Sequence, residues 1–257
     1  PMHMHLLETP YQRDYAARRG AGSAVMQIDR FGLLGPDLTI GHGVWLDADD
    51  QALCRERGVC LCHNCSSNLR LKSGTADLNA FLESGLTVAL GMDEAGINDD
   101  RDMLQEMRLA LTLHRPAGHD APAPTAAQIL KMATQHGAAT TPFRDHIGGL
   151  AIGQAADIVL LDWDRVTYPW QDPRIGFADV LLRRVKVEAV ERVYVAGQLI
   201  YSDGKFVAVD RKAELERLAQ WLRSPQTSFE QELGQLSEVS TPLVQKFYEF
   251  YSAERCK

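Results

Sequence analysis

The sequence predicts an α/β fold built on a parallel sheet, and three observations carry that prediction. Residues 38–44, 58–64 and 86–93 are short apolar runs without polar alternation, the pattern of strands covered on both faces. Helix-like stretches lie between them. The polar residues at the run ends, His5, His42, His63 and Asp93, are 37, 21 and 30 residues apart, which are the lengths of βα units. In (β/α) barrels the chemistry is done at the C-terminal ends of the strands, so these end residues are the first place to look for function.

In chain order, Met2-His3-Met4-His5-Leu-Leu-Glu8-Thr9 reads as a first strand and Tyr11 to Arg19 as its helix. Leu38-Thr-Ile-Gly-His42-Gly-Val reads as a second strand. The helix Asp47 to Arg57 follows, with Asp47, Asp49 and Asp50 near its start and Arg55 and Arg57 near its end, as the helix dipole favours. Gly58 stops it. The run to His63-Asn64 is a third strand, followed by a helix from Asp77 to Ser84. Leu86 to Asp93 is a fourth strand, whose loop opens the helix Met103 to Leu113. After Pro122 and Pro124, apolar residues from Thr125 fall at helical spacing. Ile147 to Leu161 and Val187 to Val209 read as strands, with turns at Gly148-Gly149, Ala196-Gly197 and Ser202-Asp-Gly204-Lys. Asp162, Asp164 and Asp172 fall in connections as solvated or capping residues. From Asp210 the pattern is amphipathic helix, 213–222 and 243–251, suited to packing on the barrel or on a subunit partner.

A lone strand histidine reads as a hydrogen-bonded core residue, and a lone Asp93 as a cap. Four successive strand ends carrying His or Asp read instead as a site. Imidazole with carboxylate, without a matching thiolate set, suits a zinc-like or iron-like divalent ion. Period-two geometry puts His3 on the face of His5, so a two-ligand reading of His3-Met4-His5 is open. Of five cysteines, four lie within 54–65 and Cys256 in the tail, as buried thiols of a reducing compartment. Cys62-His-Asn-Cys65 is formally C-x-x-C. The cytidine-deaminase type of zinc site needs H-x-E and P-C-x-x-C, but here Leu61 replaces the proline and the upstream motif is H-x-x-E. No second C-x-x-C supports a zinc knuckle.

The formal net charge of −7 and the absence of a basic stripe argue against nucleic-acid binding. No run of about 18 apolar residues occurs, and the helical polar faces mix both charge signs, so a membrane partner is not expected. The expected location is cytoplasmic. The visible start, Pro1, carries no signal peptide and no initiator Met.

Four motifs resemble the metal-dependent amidohydrolase superfamily, in its cytosine deaminase, guanine deaminase and triazine-chlorohydrolase-like branch. His5-Leu-Leu-Glu8-Thr9 is similar to the family's fifth-strand "HLxET", and Gly41-His42-Gly43 to its sixth-strand histidine. His63-Asn-Cys-Ser-Ser-Asn68-Leu-Arg-Leu-Lys-Ser-Gly74 resembles "HNPxSNxxLxSG", and Gly91-Met-Asp93 resembles the eighth-strand "GTD". Residues 147–159 look like the family's "IGSLExGKxADLVV".

The resemblance implies strands five to eight of a (β/α)8 TIM barrel over 1–145, part of a composite β-sandwich domain over 146–209, and a helical extension over 210–257. It implies His5 and Asp93 as metal ligands, with Asp93 alternatively accepting the proton of the attacking water. Glu8 would shuttle that proton to substrate, His42 would hydrogen-bond substrate, and Asn64 and Asn68 would order their loop. One divalent ion, Zn2+ or else Fe2+, and a homodimer of the full-length protein follow by the same route. The implied activity is hydrolytic deamination of a small heterocyclic amine (purine, pyrimidine or triazine). Displacement of a halide or alkylamine from a triazine-like ring is the rival, and Glu8 favours deamination because a leaving amine needs a proton. A non-catalytic remnant or binding module is the reading from another class. Strands one to four, with their H-x-H ligands, have no counterpart here. The expectation is therefore a fragment that alone binds metal weakly and does not turn over.

Overall fold

A computed structural model describes residues 1–20, 22–93, 99, 101–224 and 227–255, the last five by backbone only. Residues 94–98 and 100, within the loop read after Asp93, and Cys256 lie outside the described residues. The chain divides into two compact units, Pro1–Val207 and Ala208–Lys257.

Within the first unit, β1 (Met2–Leu6) is followed by α1 (Pro10–Arg18) and α2 (Ala24–Arg30), and β2 (Leu38–His42) by α3 (Ala48–Glu56). β3 (Cys60–His63) is followed by α4 (Cys65–Arg70) and α5 (Leu78–Glu83), and β4 (Thr87–Leu90) by α6 (Met103–Leu113). The four strands pair in sequence order and all in parallel. α7 (Ala126–Ala133) and α8 (Gln135–Ala139) return against β4. A second sheet is an antiparallel meander of β5 (Ile158–Leu161), β6 (Val190–Val195), β7 (Gln198–Ser202) and β8 (Lys205–Phe206). Between β5 and β6 lie α9 (Trp163–Thr167), α10 (Phe177–Arg184) and a 3-10 turn.

Local chemistry explains the helix starts. Asp47 caps α3 in a reciprocal box with Asp50, Thr125 does the same for α7 with Gln128, and Asp77 and Asp102 cap α5 and α6. Gly58, at φ 70°, takes the left-handed turn that ends α3 and re-aims the chain into β3.

The strand reading of 147–161 holds only from Ile158. Gly148 and Gly153 sit at φ 86° and 96°, which a strand cannot accommodate, and the segment runs as turns. The sequence pattern does not announce the helices within 163–184. α10 belongs to the main core through Leu181 and Leu182, and Arg108 from α6 donates to the carbonyls of Leu182 and Val185 at its C-terminal end.

Register places Met4, Ile40, Leu61 and Val88 on one level and His5, Gly41, Cys62 and Ala89 on the next, so the two sets face opposite sides of the sheet. Ile40, Leu61 and Val88 are 0% exposed and form the helix-facing core with Phe81, Leu78 and Ile129. Each such side chain contributes about 1.5–3 kcal/mol on burial. Met4, on edge strand β1, remains exposed.

The second unit contains α11 (Arg211–Leu222), capped by Asp210, and α12 (Ser228–Arg255). Leu215, Leu218, Trp221 and Leu222 of α11 are exposed. No described helix is long and apolar enough to cross a membrane.

Candidate metal centre at the strand ends

β1 brings His5 to the inner face of the parallel sheet, opposite Gly41, where a Cβ would stand 3.2 Å from His5 Cδ2. The bare position leaves the imidazole its room. Past the end of β1 the chain turns through Leu7, at φ 52°, and presents Glu8. Glu8 Oε1 accepts a hydrogen bond from Ser73 Oγ at 2.8 Å.

His42 ends β2. Regular alternation would turn it to the helix side, level with His63 and Leu90. Its φ of 71° breaks the alternation, and its ring instead lies edge-on to His5, centroids 4.7 Å apart. His42 Nδ1 lies 2.8 Å from Asn68 Oδ1, an acceptor, so Nδ1 carries a hydrogen. Its Nε2 is buried without a hydrogen-bond partner among the described residues. It faces Glu8 Oε2 at 3.8 Å and Asp93 Oδ2 at 3.6 Å, beyond hydrogen-bond distance from both.

Asp93 stands three residues beyond β4 at φ 55°, and its Oδ2 accepts from Ser67 Oγ at 2.8 Å. One segment, 67–73, therefore orients three separate site residues: Ser67 holds Asp93, Asn68 holds His42 and Ser73 holds Glu8. Reading Asn68 as a loop-ordering residue misses this grip, and it misses both serines, although all three lie in the 63–74 motif.

The structure thus gathers Glu8, His42 and Asp93, with His5 beside His42. Ligand atoms of His5, Glu8 and His42 lie within 4.8 Å of one another. A buried imidazole nitrogen that faces two carboxylates and has no hydrogen-bond partner among the described residues is a pocket that a cation completes. The donor set, imidazole and carboxylate, fits a zinc-class or ferrous ion.

Two sequence-flagged histidines lie elsewhere. His3 Nε2 lies 2.8 Å from the carbonyl of Thr140. His63 keeps the regular strand direction, so it points to the helix side, 2.9 Å from His114 at the C-cap of α6. Burial pushes His63 down to about 3 and His114 to about 4, so both rings are neutral at physiological pH. Cys62, on the inner face, lies 3.5 Å from Asn64 Oδ1, and burial pushes its thiol up to about 11.

The sequence profile of the Amidohydrolase family matches residues 1–200. A 5'-deoxyadenosine deaminase of Methanopyrus kandleri is 34% identical over 213 residues, 83% of this chain and 48% of its own length. A zinc-bound adenosine deaminase from Xanthomonas campestris superposes with a TM-score of 0.79 at 30% identity, over 86% of this chain and 50% of that one. A zinc complex of an atrazine chlorohydrolase from Arthrobacter aurescens gives 0.75 at 25% identity, over 85% of this chain and 48% of that one. The chain spans about half the length of the curated relatives it matches.

Proposed function

The chain belongs to the amidohydrolase family, and from that premise we propose that the whole protein hydrolyses a C–N bond of a small heterocyclic amine, releasing the amine by deamination. The parallel sheet supplies strands five to eight of a (β/α)8 barrel, and β5–β8 belong to a composite β-domain. The observation that carries the reading is the buried, unpartnered Nε2 of His42 between Glu8 and Asp93, with His5 alongside.

His5 and Asp93 hold the metal, zinc in preference to iron, in keeping with the zinc carried by both solved neighbours. A divalent ion bound there supplies a nucleophilic water near neutral pH. Glu8, tethered by Ser73, moves a proton to a ring nitrogen or to the departing amine. His42, held at Nδ1 by Asn68, offers Nε2 to substrate.

Displacement of halide from a triazine uses the same scaffold, as the chlorohydrolase likeness illustrates. Glu8 favours deamination, because chloride leaves without a proton. A homodimer and a cytoplasmic location complete the proposal, in keeping with the exposed apolar side chains of α11 and the free thiols at Cys54, Cys60, Cys62 and Cys65.

The test uses the full-length protein, assayed for metal content and for turnover of 5'-deoxyadenosine, S-adenosylhomocysteine and atrazine. Asp93→Asn is expected to lose metal and activity together. Glu8→Gln is expected to keep the metal and lose about 10²–10⁴-fold in kcat. Loss of metal in Glu8→Gln would overturn the division between ligand and proton shuttle. A wild-type protein that holds no metal and turns over none of the three would favour the non-catalytic reading.

A further inference from the structure

A second convergence of ligand atoms lies on the opposite, helix-facing side of the parallel sheet. His63 is 1% exposed, Cys65 0% and His114 6%. His63 Nε2 stands 2.9 Å from His114 Nε2 and 2.8 Å from Cys65 Sγ, and Cys65 Sγ stands 3.9 Å from His114 Nε2. A triangle with sides of 2.8, 2.9 and 3.9 Å has its corners about 2 Å from one common point, the length of a zinc–nitrogen bond. That point lies close to the Cys65–His114 side, and a displacement of about 1.2 Å out of the plane brings all three donors to the zinc–sulfur distance of about 2.3 Å and narrows the angle between the Cys65 sulfur, the metal and the His114 nitrogen toward the tetrahedral value.

Hydrogen bonding alone leaves this cluster short. With the proton on Nε2, His63 can donate to His114 but has no lone pair left for the Cys65 thiol. With the proton on Nδ1, the single Nε2 lone pair can accept from His114 or from Cys65 but not from both. A cation at the common point takes the lone pairs of both rings and of the sulfur together. The rings are neutral, as a ligand requires. The Cys65 thiol is pushed up by burial, so the ion must displace its proton: one S–H bond breaks, one sulfur–metal bond forms, and the proton leaves to solvent.

Charge also closes. Glu106 is buried beside Cys65, accepts the Ser66 N–H at 3.0 Å and has no ion-pair partner among the described residues. A divalent ion, one thiolate and one carboxylate sum to zero, the condition under which buried charge is tolerated. The thiol stands where the resembled motif, HNPxSN, has proline.

We propose that His63, Cys65 and His114 form a second metal site, buried and of three protein ligands, for a thiophilic divalent ion of the zinc class. The ion pins the end of β3 and the start of α4 to the C-cap of α6. His63 Nδ1 keeps its hydrogen without an acceptor, so affinity falls below that of a site whose imidazoles are braced from behind.

The 257-residue chain, stripped with a chelator and titrated with Co2+, is expected to develop a near-ultraviolet thiolate-to-cobalt band that saturates at one equivalent. Cys65→Ser should lose the band, while Cys62→Ser and Asp93→Asn should keep it. X-ray absorption on the wild-type chain carrying one equivalent of zinc is expected to read one sulfur at about 2.3 Å among nitrogen neighbours. A first shell of nitrogen and oxygen only, or a cobalt band that survives Cys65→Ser, would overturn the proposal. The absorption measurement needs no variant, so it decides between these outcomes even where Cys65→Ser fails to fold.

Discussion

At position 42 the backbone sits at φ 71°, a conformation that costs a non-glycine residue about 1–2 kcal/mol. The cost moves one imidazole from the helix side of the sheet to the face that carries His5. Asn68 fixes the result, since its Oδ1 takes the hydrogen of a ring that is 0% exposed. Asn68→Ala leaves that buried N–H without an acceptor. It is expected to destabilise the chain by about 1–3 kcal/mol, read as a lower urea midpoint at unchanged slope. In the full-length protein it should also reduce activity by about 10–100-fold. Ser66 is the counter-case two residues earlier: its buried Oγ has no partner among the described residues, so Ser66→Ala is expected to be neutral or mildly stabilising. A large loss of stability in Ser66→Ala would mean that its hydroxyl has an acceptor after all.

Among elements, the contact between β3 and α6 carries a pH dependence whose sign follows from the two histidines. Their folded values, about 3 for His63 and about 4 for His114, lie below the unfolded value of 6.5. Between those limits the unfolded chain binds more protons, so stability is fully present above pH 6.5 and falls as the pH drops toward 4. In metal-free chain the slope should approach about 1.4 kcal/mol per pH unit for each histidine. Urea titrations from about pH 7 to about pH 4.5 check this, and His114→Gln should remove roughly half of the slope.

The same elements show how much the residues disclose by themselves. α3, α5, α6 and α7 were legible because cap and periodicity are local: Asp47, Asp77, Asp102 and Thr125 stand where the helices begin. α4 was not, since Cys-Ser-Ser-Asn is a poor helix former, and the Ser66 N–H in its first turn is satisfied by Glu106 from α6, a partner forty residues away. The site was legible as a set of strand ends. Its membership came from the motif resemblance and not from periodicity, because whether His42 or His63 joins depends on one φ angle that no periodicity reports.

At the scale of the molecule, the proposed chemistry needs more wall than four strands provide. The described parallel sheet has β1 and β4 at its edges, whereas a closed barrel of this type has eight strands. His5 on edge strand β1 is exposed, so the inner face of the site opens on that side, and Met2 and Met4 on the opposite face of the same strand are 46% and 37% exposed. Two proposed ligands, His5 and Asp93, cannot surround an ion that takes four or five donors. The 257-residue chain alone is therefore expected to hold zinc at this face more than about 100-fold more weakly than the full-length protein. It should give no measurable deamination of 5'-deoxyadenosine. Competition with a chromophoric chelator reads the first quantity, with Cys65→Ser as background so that the buried cluster does not contribute, and ammonia release reads the second. Substantial turnover by the chain alone would require further ligands from within it. His3 is then the first residue to test, because it shares a strand face with His5 at period two. His3→Ala would have to abolish that turnover, and the hydrogen bond from His3 to Thr140 would have to open for the ring to reach the metal.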